Sequence, residues 1–160
     1  MWHHCAEQGF ARQVRIRLAE RLRAFRKHHI LLVARTMGSV IAYRVVRQLE
    51  REDPSLRIEH LVTVGSPLGV AKVKLKFEAE HGALRMPNSV SAWMNLADDD
   101  DVLAITGALE ADDGPGETGV SVDDRRVVNA CQWANGEPNP HKSYGYLRTP
   151  EFSRIAVSYA

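Results

Sequence analysis

A chain of 160 residues with 44% hydrophobic and 26% charged residues has one-domain length and enough apolar material to bury a core. Its net charge of +1 gives no basis for nucleic acid or an anionic membrane surface as partner, and no apolar run approaches the roughly 20 residues of a membrane span. Cys5 and Cys131 stand as a lone pair with no leader-like segment before them, which implies reduced thiols and a cytoplasmic setting.

Residues 1–10 show no periodic pattern and are expected to be disordered or frayed, leaving residues 11–160 as one domain. His3, His4 and Cys5 are adjacent, without the spacing of metal ligands, so no metal is expected there. From Ala11 to His29, the residues Val14, Leu18, Leu22 and Phe25 form one apolar stripe among arginines, the pattern of a surface helix packed on a sheet. The first thirty residues carry seven Arg or Lys against two Glu, and a solvated helix face accounts for that excess. Ile30–Ala34 is apolar without alternation and reads as a strand buried on both faces. After a sharp turn at Arg35–Gly38, the spacing of Val40, Ile41, Val45 and Leu49 predicts a helix that Pro54 ends.

Ile58–Val64 is the next strand and runs into Gly65-Ser66-Pro67-Leu68-Gly69. Ser66, followed by Pro67 and lacking an elbow pattern, is a loop residue and not a nucleophile. Residues Lys72–Asn88 are polar and mixed, and are expected to be irregular. Val90–Ala97 predicts a third parallel strand leading into the acidic run Asp98–Asp101, with Ile105 and Leu109 suggesting a short helix and Asp112–Gly116 a loop. Arg126–Ala130 reads as a fourth strand, Gly136–Pro140 as a turn that delivers His141, and Pro150–Tyr159 as a closing helix. The fold predicted is α/β: about four mostly parallel strands flanked by helices.

The stretch Ala34-Arg35-Thr36-Met37-Gly38-Ser39 lies between the first strand and its helix. A small-x-nucleophile-x-small pattern in that context is a nucleophile elbow: the central residue sits at φ > 0 against the helix start, so its two-away neighbours must be small. Ala34 and Gly38 meet that need. Here the chain resembles the α/β-hydrolase superfamily, in particular its lipase- and esterase-like members, which commonly read Ala-His-Ser-Met-Gly-Ser at this point. Thr36 stands where those members have Ser, and Arg35 where they often have His. The Gly-Ser-Pro-Leu-Gly segment and His141-Lys142-Ser143-Tyr144 with Gly145-Tyr146-Leu147 are similar to the same group.

The resemblance implies a triad in the chain order nucleophile, acid, histidine, with Thr36 as nucleophile and His141 as general base. It lays Asp98 and Asp101 on two acidic positions, with Asp101 the first choice of acid and Asp98 the alternative. Four consecutive carboxylates cannot all face one Ca²⁺ or Mg²⁺ ion, so no metal is expected at this run. The backbone N–H of Met37 is the implied oxyanion donor. All three triad candidates follow predicted strands, which puts them at the C-terminal edge of a parallel sheet.

The implied activity is hydrolysis of carboxylic esters without a cofactor, on a small ester or acyl substrate. A β-branched residue at φ > 0 is a steric outlier costing on the order of 1–3 kcal/mol, so impaired activity is expected. The resemblance covers only the C-terminal half of the superfamily fold, a partial α/β-hydrolase domain. The chain is therefore expected to be a fragment or truncated product lacking the earlier strands and the second oxyanion donor. Its Ile30–Ala34 strand would then present an open edge for self-association. The alternative is a non-catalytic relative that binds a partner or small acyl ligand, and a basic interaction module built on residues 11–29 is a weaker third.

Overall fold

The computed structural model of the chain describes residues 2–81, 85–104, 109 and 121–160. Four strands, β1 (Leu31–Arg35), β2 (Ile58–Val64), β3 (Val90–Ala97) and β4 (Asp123–Arg126), make one sheet in the order β1-β2-β3-β4, with every pairing parallel. Helices α1 (Trp2–Ala24), α2 (Met37–Glu52), α3 (Ala71–His81), α4 (Ser143–Leu147) and α5 (Pro150–Ala156) flank it, so the fold is α/β as predicted. No described helix is long and apolar enough to cross a membrane.

Two apolar clusters follow from the alternation of side chains along the strands. One gathers Ala19 and Leu22 of α1, Tyr43, Val45, Val46 and Leu49 of α2, and Phe77 of α3 over Leu61 and Trp93. The other packs Tyr146 of α4, with Phe152 and Ile155 of α5, against Val62, Val64 and Leu96. Tyr43, Phe77 and Trp93 meet as tilted and edge-on aromatic pairs with centroids 4.9 and 5.7 Å apart. Within the sheet, Thr63, Asn95 and Asp124 stand in register and form a polar ladder. Thr63 Oγ1 donates to Asn95 Oδ1 at 2.7 Å, and Asn95 Nδ2 donates to Asp124 Oδ1 at 2.8 Å.

Several elements differ from the sequence expectation. Residues 2–10 continue α1 as helix, where no pattern predicted one, and the helix ends at Ala24, short of His29. The side chains of His3, His4 and Cys5 lie outside the described part. β1 is not buried on both faces: Leu31 and Leu32 are half-buried and Val33 is 39% exposed. Among the described residues β1 is an edge strand, paired with β2 alone, which leaves one flank uncovered. Residues Ala71–His81 are helix and not irregular. That segment holds no Gly or Pro, and Lys72, Lys74, Lys76, Glu78 and Glu80 are good helix formers. Only Phe77 is deeply buried there, so no apolar stripe announces the helix.

The fourth strand lies at Asp123–Arg126, not Arg126–Ala130. Asp124 is drawn into the ladder by Asn95. Pairing stops where Val127 N–H donates to Ala97 O, and the backbone N–H of Asn129 is taken instead by Asp98 Oδ2. Ile105 of the expected short helix and the Asp112–Gly116 loop lie outside the described residues. The closing segment is α5 followed by a 3-10 turn at Val157–Tyr159, with Thr149 Oγ1 capping Phe152 N–H and Pro150 at the first helical position.

Candidate active site

The C-terminal ends of β1, β2 and β3 and the loop after β4 converge at one sheet edge, where ligands bind in open α/β folds. Thr36 joins β1 to α2 at φ 50 and ψ −126, and no other non-glycine described residue has a positive φ. That backbone lies outside the regions L-residues ordinarily occupy. Its surroundings hold it there. Thr36 N–H donates to Val64 O at 3.2 Å, and Thr36 O accepts from Ser39 N–H at 3.0 Å and Ser39 Oγ at 2.5 Å. Ser39 is fully buried and spends its only hydroxyl proton on that carbonyl, so the neighbouring Ser66 Oγ, 2.7 Å away, donates to it. Ser66 Oγ in turn accepts from Leu68 N–H at 3.2 Å, capping the 3-10 turn Pro67–Gly69. Both serines therefore act on the backbone of the turn.

The side chain of Thr36 points at His141. Oγ1 lies 2.9 Å from His141 Nε2, and His141 Nδ1 lies 2.9 Å from both carboxylate oxygens of Asp101. A carboxylate only accepts, so the proton of the imidazole is assigned to Nδ1 and Nε2 is left to accept from the Thr36 hydroxyl. Asp101 is wholly buried while the His141 side chain is 29% exposed, so the ring bridges a dry acid and an accessible hydroxyl. Three residues distant in sequence thus form one hydrogen-bonded line.

Asp101 is held by more than the histidine. Its Oδ2 accepts from Tyr146 OH at 2.7 Å, and its Oδ1 accepts from Leu103 N–H at 3.1 Å. Burial, and next the hydrogen bond to Asp101, hold the Tyr146 phenol well above its ordinary pKa, so it stays a neutral donor. The Tyr146 oxygen also accepts from Asp98 N–H at 3.1 Å. Asp98, the alternative acid, does not reach the imidazole by hydrogen bond. Its carboxylate accepts from Asp100 N–H at 2.9 Å and Asn129 N–H at 2.5 Å, which is the work of a loop anchor.

Gly65, at the end of β2, makes the Asp101–His141 contact sterically possible. It has φ +53, and a Cβ there would stand 2.8 Å from Asp101 Oδ2 and 3.3 Å from His141 Nδ1. Met37, the residue after Thr36, opens α2. Its N–H has no acceptor among the described residues, as expected for a first-turn amide, and its side chain is 58% exposed. Unengaged amides at the positive end of a helix are suited to receive negative charge.

Asp101, Thr36 and His141 are thus together, Met37 lies at the same turn, and Asp98 lies behind. Neither Gly65 nor Tyr146 stands out in the sequence as a site residue. A glycine directly after an apolar strand was visible, but its neighbours across the sheet were not. No protein-family model, curated protein or solved structure matches this chain.

Proposed function

We propose that this chain is a carboxylic-ester hydrolase of the lipase and esterase kind within the α/β-hydrolase superfamily, with Thr36 as nucleophile. The observation that carries the reading is the line Thr36 Oγ1 to His141 Nε2 to Asp101, at 2.9 Å for each contact, on a strand-turn-helix with Thr36 at φ 50. His141 Nε2 takes the hydroxyl proton as Thr36 Oγ1 bonds to the ester carbonyl carbon, and the carbonyl oxygen becomes an oxyanion facing Met37 N–H. The tetrahedral species collapses, the alcohol leaves with the proton from Nε2, and an acyl-Thr36 ester remains. Water then gives its proton to His141, attacks the same carbon, and releases the carboxylic acid as the proton returns to Thr36 Oγ1. Asp101, oriented by Tyr146, keeps Nδ1 as the protonated nitrogen throughout.

Thr36 makes the enzyme a slow one. Its γ-methyl does not prevent the hydroxyl from reaching Nε2, so the proton path is intact. The obstacle is the approach of the carbonyl to a branched oxygen on a backbone strained by on the order of 1–3 kcal/mol. The same strained, branched residue favours a second reading, a protein that keeps the site and binds an acyl ligand or a partner without turning it over.

An activated alkyl phosphonate p-nitrophenyl ester separates the two. A hydrolase releases p-nitrophenol and carries the phosphonyl group on the Thr36 peptide by mass spectrometry, and Thr36→Ala and His141→Ala both abolish the adduct. Reversible retention of the ligand with no adduct at Thr36 refutes the hydrolase reading and supports the binder.

A further inference from the structure

Three consecutive backbone carbonyls around His141 are each taken by a side chain. Asn129 Nδ2 donates to Pro140 O at 2.7 Å and to Lys142 O at 2.8 Å, and the Arg35 guanidinium donates to His141 O. Asn129 is 5% exposed, and both of its amide protons are used on this loop. Its Oδ1 accepts from Cys131 N–H at 3.2 Å, and its backbone N–H donates to Asp98 Oδ2 at 2.5 Å. Gly145 leaves the room for it, since a Cβ there would fall 1.5 Å from Asn129 Oδ1. Asp98 belongs to the acid-bearing turn, where Asp101 N–H donates to Asp98 O at 3.1 Å.

The loop's backbone hydrogen bonds are local, and Lys142 N–H donates to Asn139 O at 3.1 Å across His141. Between Val127 and His141 the chain makes a small hairpin closed by Trp133 N–H to Glu137 O at 2.8 Å and Asn139 N–H to Cys131 O at 2.7 Å, with most of its residues exposed. The imidazole must meet Thr36 and Asp101 at once, and both contacts are made by a side chain on that hairpin's return. A shift of its backbone by about 1 Å would break one of them.

We infer that Asn129 is a positioning residue for His141, and that Asp98 ties it to the turn carrying Asp101 so that base and acid move as one unit. Asn129 does not contact the reacting atoms. It fixes the carbonyls on either side of the base, while Arg35 fixes the base's own carbonyl from the nucleophile side. The catalytic meaning of this clamp rests on the hydrolase reading, but the clamp itself does not.

Asn129→Asp tests it in the full chain. The change keeps the shape and the Oδ1 acceptor, removes both donors, and sets a carboxylate oxygen against two carbonyls. The readout is the His141 Nδ1 proton, seen downfield by NMR in ¹⁵N-labelled protein. We expect its exchange with water to quicken on the order of tenfold or more, as lost hydrogen bonds of ordinary strength would allow. The amide spectrum of the sheet should stay in place. In ester hydrolysis kcat should fall on the order of ten- to a hundredfold with KM little changed. Asp98→Asn, which keeps an acceptor oxygen but weakens the bond to Asn129 N–H, should shift the exchange rate in the same direction by less, and it decides the matter if Asn129→Asp does not fold. Unchanged Nδ1 exchange in a folded variant overturns the inference. Altered exchange in a protein that neither hydrolyses esters nor takes the phosphonate leaves the clamp standing and removes the hydrolase reading.

Discussion

Replacing Thr36 by Ser changes one methyl group at the point where the candidate site is most strained. Thr36 sits at φ 50 and ψ −126, a conformation whose cost for a β-branched residue is on the order of 1–3 kcal/mol. Ser carries the same hydroxyl without the second branch, while Met37 N–H, His141 and Asp101 are untouched. If removal of the methyl lowers the barrier to carbonyl approach by even ~1.4 kcal/mol, kcat/KM rises tenfold. The assay is initial-rate hydrolysis of p-nitrophenyl acetate by Thr36→Ser and the parent, at equal folded concentration. The gain should reach tenfold or more by that measure, and it should vanish when His141→Ala is added, because members of a triad act as a unit. Equal rates for Thr and Ser, or a gain that survives loss of His141, would show that residue 36 is not a nucleophile position.

Thr36→Gly should remove the strain and the hydroxyl together, raising stability by about 1 kcal/mol and Tm by roughly 2–4 °C, read by calorimetry, while any phosphonate labelling is lost. Gly65→Ala should do the reverse, since its Cβ would stand 2.8 Å from Asp101 Oδ2 at a backbone φ of +53; we expect a lower Tm and a displaced His141 ring signal. Tyr146→Phe leaves the Asp98 N–H buried without an acceptor and should cost about 1–3 kcal/mol in denaturant unfolding. The Tyr146 pKa is raised in the folded state, so its contribution is fully present below the ordinary value of 10.0 and is lost as pH climbs towards the raised one. Alkaline destabilisation should therefore be weaker in the Phe variant than in the parent. The exposed flank of β1 should mediate self-association, visible as a concentration-dependent sedimentation coefficient that Val33→Lys abolishes; a parent that stays monomeric at all concentrations contradicts this.

What the sequence made legible was whatever depends on neighbours along the chain. The apolar run before Arg35, the small residues at 34 and 38 and the helical spacing after Gly38 are local signals, and the strand-turn-helix they describe is present. Val90–Ala97 was equally plain, since its apolar run ends abruptly in four acids. The resemblance named residues 36, 101 and 141, and their places after predicted strands suggested that they could meet, because parallel strands deliver their C-terminal ends to one edge. What stayed hidden depends on contacts across the sheet. Nothing near Asp124 in sequence says that Asn95 will draw a charged residue into a polar ladder, and so β4 begins three residues before the strand that the sequence predicts. Asn129 reads as one unremarkable residue of the expected strand Arg126–Ala130. Its importance exists only once Asp98, Pro140 and Lys142 surround it. Asp101 was the first choice of acid on the resemblance alone, and the physical reason for it, the Tyr146 hydroxyl and the His141 ring both on its carboxylate, lies across the fold.

The strain at Thr36 and the order around it have a common explanation in the fold. A residue held outside its comfortable φ and ψ stays there only if its surroundings over-determine it. Thr36 is fixed by Val64 O at its N–H and by Ser39 at its carbonyl, and Ser39 is itself buried and braced by Ser66. Gly65, next to Ser66 in sequence, keeps open the space in which Asp101 meets His141. The end of β2 therefore serves both halves of the candidate site: Val64 and Ser66 hold the hydroxyl-bearing turn, and Gly65 between them leaves room for Asp101 and His141. A side-chain change at Gly65 or Ser66 should disturb the Thr36 backbone and the His141 ring together, whereas a change at Phe77, which packs on Tyr43 in the other apolar cluster, should lower stability without moving either. That coupling follows from the contacts of one strand end, and it holds whether the hydroxyl of Thr36 turns over an ester or only lies beside one.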